Sequence, residues 1–133
     1  MITVHVPRPK NVSEDTLMTI GYKMPLTANE YQALAMRTAR PECRNLSNVG
    51  LGLAGEAGEV ADEIKKHLHH GHPLNREKLI KECGDVFWYL ALAATVLGTT
   101  VEEIMQINID KLKARYPEGF SAEKSLHRME GDV

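Results

Sequence analysis

The chain has 133 residues and a formal net charge of −2, with 43% hydrophobic and 26% charged residues. This length suits a single domain, and nothing in the net charge indicates binding to nucleic acid or to an anionic membrane. No apolar run approaches the ~20 residues that a membrane-spanning helix needs. With two cysteines and no apolar leader after Met1, the sequence predicts a reduced, cytoplasmic protein.

The first 25 residues differ in composition from the rest of the chain. Three prolines and a glycine interrupt them, so we predict an irregular N-terminal arm over residues 1–25. Within that arm, Ile2–Val6 is predicted to form a short strand and Asp15–Ile20 a helical turn.

Two helices are predicted next, and both are bounded by capping signals. Thr27 and Glu30 have the spacing of a capping box, and the first helix runs from there to about Ala39, ahead of a proline. A second helix is predicted over residues 45–70, where Gly71 follows as a left-handed cap.

Two further helices complete the predicted fold. Asn75 is expected to cap a third helix that ends at Leu97, and Thr100 starts a fourth that ends near Tyr116 with Glu103 completing a capping box. Short connections between four helices predict an all-α bundle over residues 26–120. A polar C-terminal tail, residues 121–133, follows it.

The second predicted helix carries a stripe of acidic residues. At about 100° per residue, Glu56, Glu59 and Glu63 fall within an arc of roughly 60°. Three carboxylates this close repel each other unless a positive charge lies among them. The stripe borders apolar residues that indicate a core-facing side: Val60, Ile64 and Leu68.

The third predicted helix repeats the pattern. Glu82 and Asp85 are spaced i, i+3, and Tyr89 follows them one turn later. If the two helices pack antiparallel, their acids face each other and need a cation to stay ionised. Oxygen ligands without cysteine or histidine favour Mg²⁺ or Mn²⁺, and Mg²⁺ commonly shares its shell with substrate phosphates. The pattern thus indicates phosphoryl chemistry on a nucleotide.

Three segments of the sequence resemble the MazG-like family of all-α nucleoside triphosphate pyrophosphohydrolases. They read GLAGEAGEVADEIKK, KLIKECGDVFWYLA and NIDKLKARYPEGF, and the upstream run LTANEYQALAMRTA is similar as well. The family's mark is ExxE followed by ExxD, which here is Glu56 with Glu59 and then Glu82 with Asp85. The resemblance extends over about residues 26–120 and implies a four-helix MazG-like bundle completed by oligomerisation.

The resemblance implies an activity and a metal site. The expected reaction converts a nucleoside triphosphate and water into a monophosphate and pyrophosphate, with Mg²⁺ as cofactor and Mn²⁺ as a substitute. The residues implied as metal ligands are Glu56, Glu59, Glu82 and Asp85. Either Glu59 or Glu63 is expected to accept the proton of the attacking water.

The resemblance also implies contacts to the substrate. Asn108, Lys111 and Arg115 share one face of the fourth helix and lie in the segment that approaches the phosphates in relatives. Tyr89 matches a tyrosine that packs near the sugar. Relatives assemble as homodimers or homotetramers, with their sites near subunit interfaces, so the same is expected for this chain.

Other interpretations stay open at this point. A phosphoribosyl-ATP pyrophosphohydrolase would share the fold and the acids. A non-enzymatic helical dimerisation module would leave the acids solvated and independent of Mg²⁺. A di-iron bundle is disfavoured because such sites use Glu-x-x-His pairs, and no glutamate here has a histidine three residues later. The sequence leaves the base, the sugar and the choice between nucleotide-pool control and sanitation undecided.

Overall fold

The structure is a computed structural model in which residues 26–127 are described. That range contains no β-strand and five α-helices: α1 (Ala28–Met36), α2 (Leu46–His69), α3 (Arg76–Val96), α4 (Val101–Arg115) and α5 (Ala122–Leu126). A 3-10 turn, Pro41–Cys43, precedes α2. The all-α prediction is confirmed, whereas the predicted strand and helical turn in the arm lie outside the described residues.

Side-chain caps set the boundaries of the first three helices. The Thr27 hydroxyl accepts the Glu30 amide at 3.2 Å, and the Glu30 carboxylate accepts the Thr27 amide at 2.8 Å, which is the predicted capping box. The Asn45 side chain caps α2, and the Asn75 side chain caps α3 by accepting the Lys78 amide at 3.0 Å. These contacts satisfy amides that a helix start leaves without intrahelical partners.

Glycines in the left-handed region end α2, as predicted, and α3. Gly71 has a φ of 72° and Gly98 a φ of 70°, a conformation that costs glycine little. Around the first of them, the amides of His70 and His72 both donate to the Lys66 carbonyl. The chain therefore reverses over the short segment 70–75 and brings α3 back along α2.

The C-terminal part departs from the sequence prediction in two details. At α4 only half of the predicted capping box forms: the Thr100 hydroxyl accepts the Glu103 amide at 3.1 Å, but the Glu103 carboxylate accepts the Thr99 hydroxyl. The tail contains α5, which was not predicted, and the Ser121 hydroxyl caps it.

Helices α2 and α3 are antiparallel and share the most extensive helix interface among the described residues. Two contacts define how they align. Near one end, Gly52 lies against the ring of Tyr89, and near the other, Glu63 pairs with Lys78. The acids of the two helices lie between these contacts.

The buried core lies at one end of the bundle, where α1, the start of α2, the second half of α3 and the start of α4 meet. Its members are Met36, Ala39, Val49, Ala91, Leu92, Ala94 and Val101. Leu92 is fully buried at its centre. The core therefore holds the α2–α3 pair at the end nearest Tyr89 and leaves its other end outside the core.

Gln32 fastens the start of α4 to α1. Its side-chain oxygen accepts the Val101 amide at 2.8 Å, and its side-chain nitrogen donates to Thr95 and to the Thr99 carbonyl. These bonds lie at the junction of α3 and α4, where the chain bends by 97°. No single helix within residues 26–127 is long and apolar enough to cross a membrane. The bent pair of α3 and α4 meets this length and composition only when the two helices are taken together.

Several apolar side chains are not covered within one chain. Ile64 and Leu68, which the sequence pattern assigned to a core-facing side, are 40% and 65% exposed. The prediction was wrong for these two because α3 alone packs extensively on α2 among the described helices. Exposed apolar residues also run along α4: Ile104, Met105, Ile107, Ile109 and Leu112.

Candidate metal centre

Three carboxylates from α2 and α3 converge between the two alignment contacts. Oxygens of Glu56, Glu82 and Asp85 all lie within 4.8 Å of one another. Glu56 and Glu82 are half-buried, and Asp85 is exposed. The antiparallel packing thus brings together three of the four residues expected to bind metal.

The donor set suits a divalent cation such as Mg²⁺. Oxygens bound to one Mg²⁺ ion lie about 2.0–2.1 Å from it, so three that are already within 4.8 Å need only small rotations to share it. No hydrogen bond or ion pair to a cationic side chain occupies these three carboxylates in the described part of the chain. Without a cation, three neighbouring carboxylates repel each other.

Glu59, the fourth expected ligand, lies outside this cluster. Its side chain is exposed, one turn along α2 from Glu56. Within residues 26–127 its carboxylate has neither a hydrogen-bond partner nor an ion pair. Glu59 is therefore available to a ligand or a water at the open side of the cluster.

Glu63, the other candidate proton acceptor, is bound by lysines. The Lys78 ammonium of α3 lies 2.5 Å from Glu63 Oε1, and the Lys66 ammonium lies 3.3 Å from the same atom. Only 11% of the Glu63 side chain is exposed. The hydrogen bond from Lys78 is the main cause that lowers the pKa of Glu63, with Lys66 acting in the same direction. Glu63 is thus a fixed carboxylate in an interhelical ion pair.

Asp62 also pairs with lysines, and the pH dependence of its ionisation reports these pairs. Lys65 and Lys66 lie 2.5 and 2.7 Å from its oxygens, and their hydrogen bonds lower its pKa from 3.8 to about 2. A lowered carboxylate pKa adds stability that is fully present above the unfolded value and is lost as pH falls toward the folded one. We expect the Asp62 carboxyl carbon to titrate near pH 2 by NMR, and the stability advantage over Asp62→Asn to shrink between pH 4 and pH 2.

A matched change tests the cause of that shift. Replacing Lys65 and Lys66 together by methionine keeps the aliphatic stems and removes both ammonium groups. The Asp62 midpoint is then expected to return toward 3.8. A midpoint that stays near 2 in this variant would contradict the assignment of the shift to the two lysines.

Tyr89 lies beside the site as part of the α2–α3 interface. Its ring fills the space above Gly52 and meets Trp88 edge-on, with centroids 4.9 Å apart. The Trp88 indole N–H donates to Thr38 at 2.8 Å, so this residue packs against the end of α1. Burial and then the charge of Asp85 raise the pKa of Tyr31, which packs against the same core as Tyr89.

The residues expected to bind phosphate lie on α4, away from the acids of the same chain. Asp85 lies eleven residues before the end of α3, and Lys111 lies ten residues after the start of α4. At 1.5 Å per residue, and with the 97° bend, these two positions are roughly 20 Å apart. Asn108 shares the exposed surface of α4, and Arg115 lies over the Tyr116 ring at 6.0 Å. In one chain the two sets therefore start from backbone positions on different helices.

Fold and site together define an all-α protein with an acid cluster between two antiparallel helices. Residues 44–120 match the family described as the MazG nucleotide pyrophosphohydrolase domain. The gene 37 protein of Mycobacterium phage L5 is 41% identical over 78 residues, which cover 56% of this chain and 68% of that relative. No solved structure gives a significant match.

The chain belongs to the MazG nucleotide pyrophosphohydrolase domain family. Membership supports a nucleotide pyrophosphohydrolase activity in general terms, and it agrees with the resemblance found in the sequence. The match begins at residue 44 and ends at residue 120, and the domain boundaries given above for the arm and the tail stay predictions.

Sequence reasoning missed one residue that shapes the site, Lys78. It contacts a partner on the opposite helix, so it does not belong to a local motif. The antiparallel register of α2 and α3 would have predicted the contact between Lys78 and Glu63. If Glu56 is set opposite Asp85, seven residues forward on α2 reach Glu63 and seven residues back on α3 reach Lys78.

Proposed function

We propose that the protein hydrolyses nucleoside or deoxynucleoside triphosphates to monophosphate and pyrophosphate in a Mg²⁺-dependent reaction, with Mn²⁺ able to substitute. The observation that carries this proposal is the convergence of Glu56, Glu82 and Asp85 within 4.8 Å between two antiparallel helices. Membership of the MazG family supports the reaction class. A role in nucleotide-pool control or sanitation is proposed with it.

In this proposal the three clustered acids hold the cation and Glu59 faces the attacking water. A Mg²⁺ ion held by Glu56, Glu82 and Asp85 would supply positive charge for the phosphate oxygens and would make a bound water more acidic. Glu59 accepts the water's proton, because its carboxylate is exposed and unpaired among the described residues and lies one turn from Glu56. Tyr89 is proposed to border the sugar, as the family resemblance suggests.

The phosphate-binding set is proposed to come from a second copy of the chain. Asn108, Lys111 and Arg115 carry the hydrogen-bond donors and positive charge that a triphosphate needs. In one chain, however, Lys111 lies roughly 20 Å from Asp85 along the bent α3–α4 pair. A homodimer, or a homotetramer built from dimers, would also cover the exposed apolar residues of α4.

This proposal predicts a dependence of assembly and activity on the apolar side of α4. Ile107 is 62% exposed in one chain, and we expect Ile107→Glu to dissociate the assembly because it introduces a charge into an apolar interface. Light scattering coupled to size exclusion would detect the change in mass. Glu118→Gln, at an exposed position after α4, is the control. A wild-type protein that is monomeric at micromolar concentration would contradict the proposed second copy.

The defining experiment measures pyrophosphate release from a panel of ribo- and deoxynucleoside triphosphates, with Mg²⁺ and with EDTA. Release of pyrophosphate and monophosphate that requires the metal supports the proposed function and identifies the base and sugar. Release from phosphoribosyl-ATP alone favours that alternative. Absence of release and of Mg²⁺ binding favours a non-enzymatic helical module. We retain the prediction of a cytoplasmic protein that binds neither nucleic acid nor membranes.

A further inference from the structure

The acid cluster lies between two contacts that fix the same antiparallel register. In such a pair, each step forward along α2 matches one step back along α3. Gly52 meets Tyr89, and eleven residues further along α2, Glu63 meets Lys78, which is eleven residues back along α3. Glu56 and Asp85 are each four residues inward from the first contact. One alignment therefore accounts for both end contacts and for the convergence of the acids.

The Glu63–Lys78 contact is the one that lies outside the hydrophobic core. The core residues of α2 and α3 are Val49, Ala91, Leu92 and Ala94, all at the Tyr89 end. At the other end Ile64 and Ile80 are exposed, and Val60 and Leu79 are only half-buried. Among the described residues, Glu63–Lys78 is the only ion pair that joins the two helices. It therefore joins α2 to α3 at the end where neither helix contributes a fully buried apolar residue.

The surroundings of Glu63 suit a structural pair better than proton transfer. Its side chain is 11% exposed, and its carboxylate accepts Lys78 at 2.5 Å and Lys66 at 3.3 Å. Both lysines bind Oε1, and Glu63 lies seven residues beyond Glu56, about 10 Å along α2, so it is separate from the three clustered carboxylates. Lys78 lies one helical turn before Glu82, so the pair also limits the movement of that ligand along α3.

We propose that Glu63 is a positioning residue which, with Lys78, clamps α2 to α3 and thereby keeps Glu82 and Asp85 opposite Glu56. In this arrangement Glu63 is neither a metal ligand nor the general base. The inference rests on the proposed Mg²⁺-dependent function, because the clamp acts by shaping the site that binds the cation.

The test is a cycle of neutral variants: Glu63→Gln, Lys78→Gln and the double variant. Mn²⁺ binding, measured by the loss of the free-ion EPR signal without nucleotide, reports the site separately from turnover, which is measured by pyrophosphate release. We expect each single variant to weaken Mn²⁺ binding at least about tenfold, since each removes the ion pair that joins α2 to α3. The double variant, whose amides can hydrogen-bond each other, should recover to within about threefold of wild type in both measurements.

Two further variants keep the test decisive. Lys81→Gln removes a lysine of the same helix whose partner, Glu77, is also on α3 and exposed, and it is expected to leave Mn²⁺ binding unchanged. Lys78→Arg retains the cation and should bind Mn²⁺ like wild type, which covers the case in which Lys78→Gln does not fold. Circular dichroism checks the folding of each variant.

The outcomes separate the clamp from the proposed function. A double variant no better than Glu63→Gln, with wild-type behaviour in Lys78→Gln, overturns the clamp and returns Glu63 to a direct role. Loss of Mn²⁺ binding in Lys78→Arg also overturns it. Absence of Mn²⁺ binding and of pyrophosphate release in the wild type overturns the proposed function and the clamp with it.

Discussion

Asp85→Asn is expected to lower Mg²⁺-dependent pyrophosphate release by at least about 100-fold, the size of loss that follows removal of one group stabilising the transition state. Asp85 supplies one of the three carboxylates that lie within 4.8 Å of each other. Asparagine keeps the shape of the side chain and removes its charge, so the cation loses a strong ligand while α3 stays intact. Steady-state release of pyrophosphate across Mg²⁺ concentrations would measure the effect.

The same variant should be more stable than wild type when no cation is present. Three neighbouring carboxylates repel each other, and removing one charge relieves that repulsion. In EDTA we therefore expect a higher Tm for Asp85→Asn, and in Mg²⁺ a smaller metal-induced rise than wild type gives. Both effects are readable in thermal unfolding without any assay of turnover.

Glu77→Gln is the matched control for this prediction. Glu77 is an exposed acid on the same helix, and its partner is Lys81 of that helix. Surface ion pairs of this kind contribute little, so activity and the Mg²⁺-induced rise in Tm should both match wild type. If Asp85→Asn kept full activity, the three-acid cluster would not be the catalytic metal site.

Local chemistry explains why the helix boundaries could be predicted. Thr27, Asn75 and Gly71 act within a few residues of themselves, and each has the structural role that its sequence context indicates. The incomplete capping box of α4 has an equally local reason. The Glu103 carboxylate accepts the Thr99 hydroxyl, so only half of the box forms.

The sequence predicted those features of the site that depend on the periodicity of a single helix. Helical periodicity indicated that Glu56 and the pair Glu82 and Asp85 border the same interface, and a short reversal between α2 and α3 turned them toward each other. The partner of Glu63 depends on the register of two helices, which no single segment encodes. The pattern around Ile64 indicated an apolar side but not whether this chain or another copy covers it.

Gly52→Ala is expected to destabilise the protein, although glycine-to-alanine changes inside helices usually stabilise. A Cβ atom at Gly52 would overlap Cε1 and Cζ of the Tyr89 ring. The helix gains about 1 kcal/mol from alanine, whereas forcing extra volume into a packed interface costs about 1–3 kcal/mol. We expect a net loss of up to about 2 kcal/mol in urea unfolding.

Gly50 provides the matched control because it lies on the same helix, and a Cβ there would meet nothing within 4 Å. Gly50→Ala should therefore stabilise by about 1 kcal/mol. In a Tyr89→Ala background the obstacle at Gly52 is gone, so Gly52→Ala should stabilise there too. A change of sign between the two backgrounds assigns the cost to the Tyr89 ring, and the same sign in both would contradict it.

Gly52→Ala should also reduce turnover, because Gly52 and Tyr89 each lie one helical turn from an acid of the cluster. Glu56 follows Gly52 on α2, and Asp85 precedes Tyr89 on α3. Pushing the helices apart at this contact widens the gap between these two carboxylates, and displacements of about 1 Å in a catalytic site cost up to roughly 100-fold in rate. For Gly52→Ala we expect the rate of turnover to fall at least about tenfold, which is less than that upper value. Gly50→Ala should keep wild-type activity. A destabilised Gly52→Ala variant with full turnover would mean that the acids tolerate a wider α2–α3 spacing than this structure has.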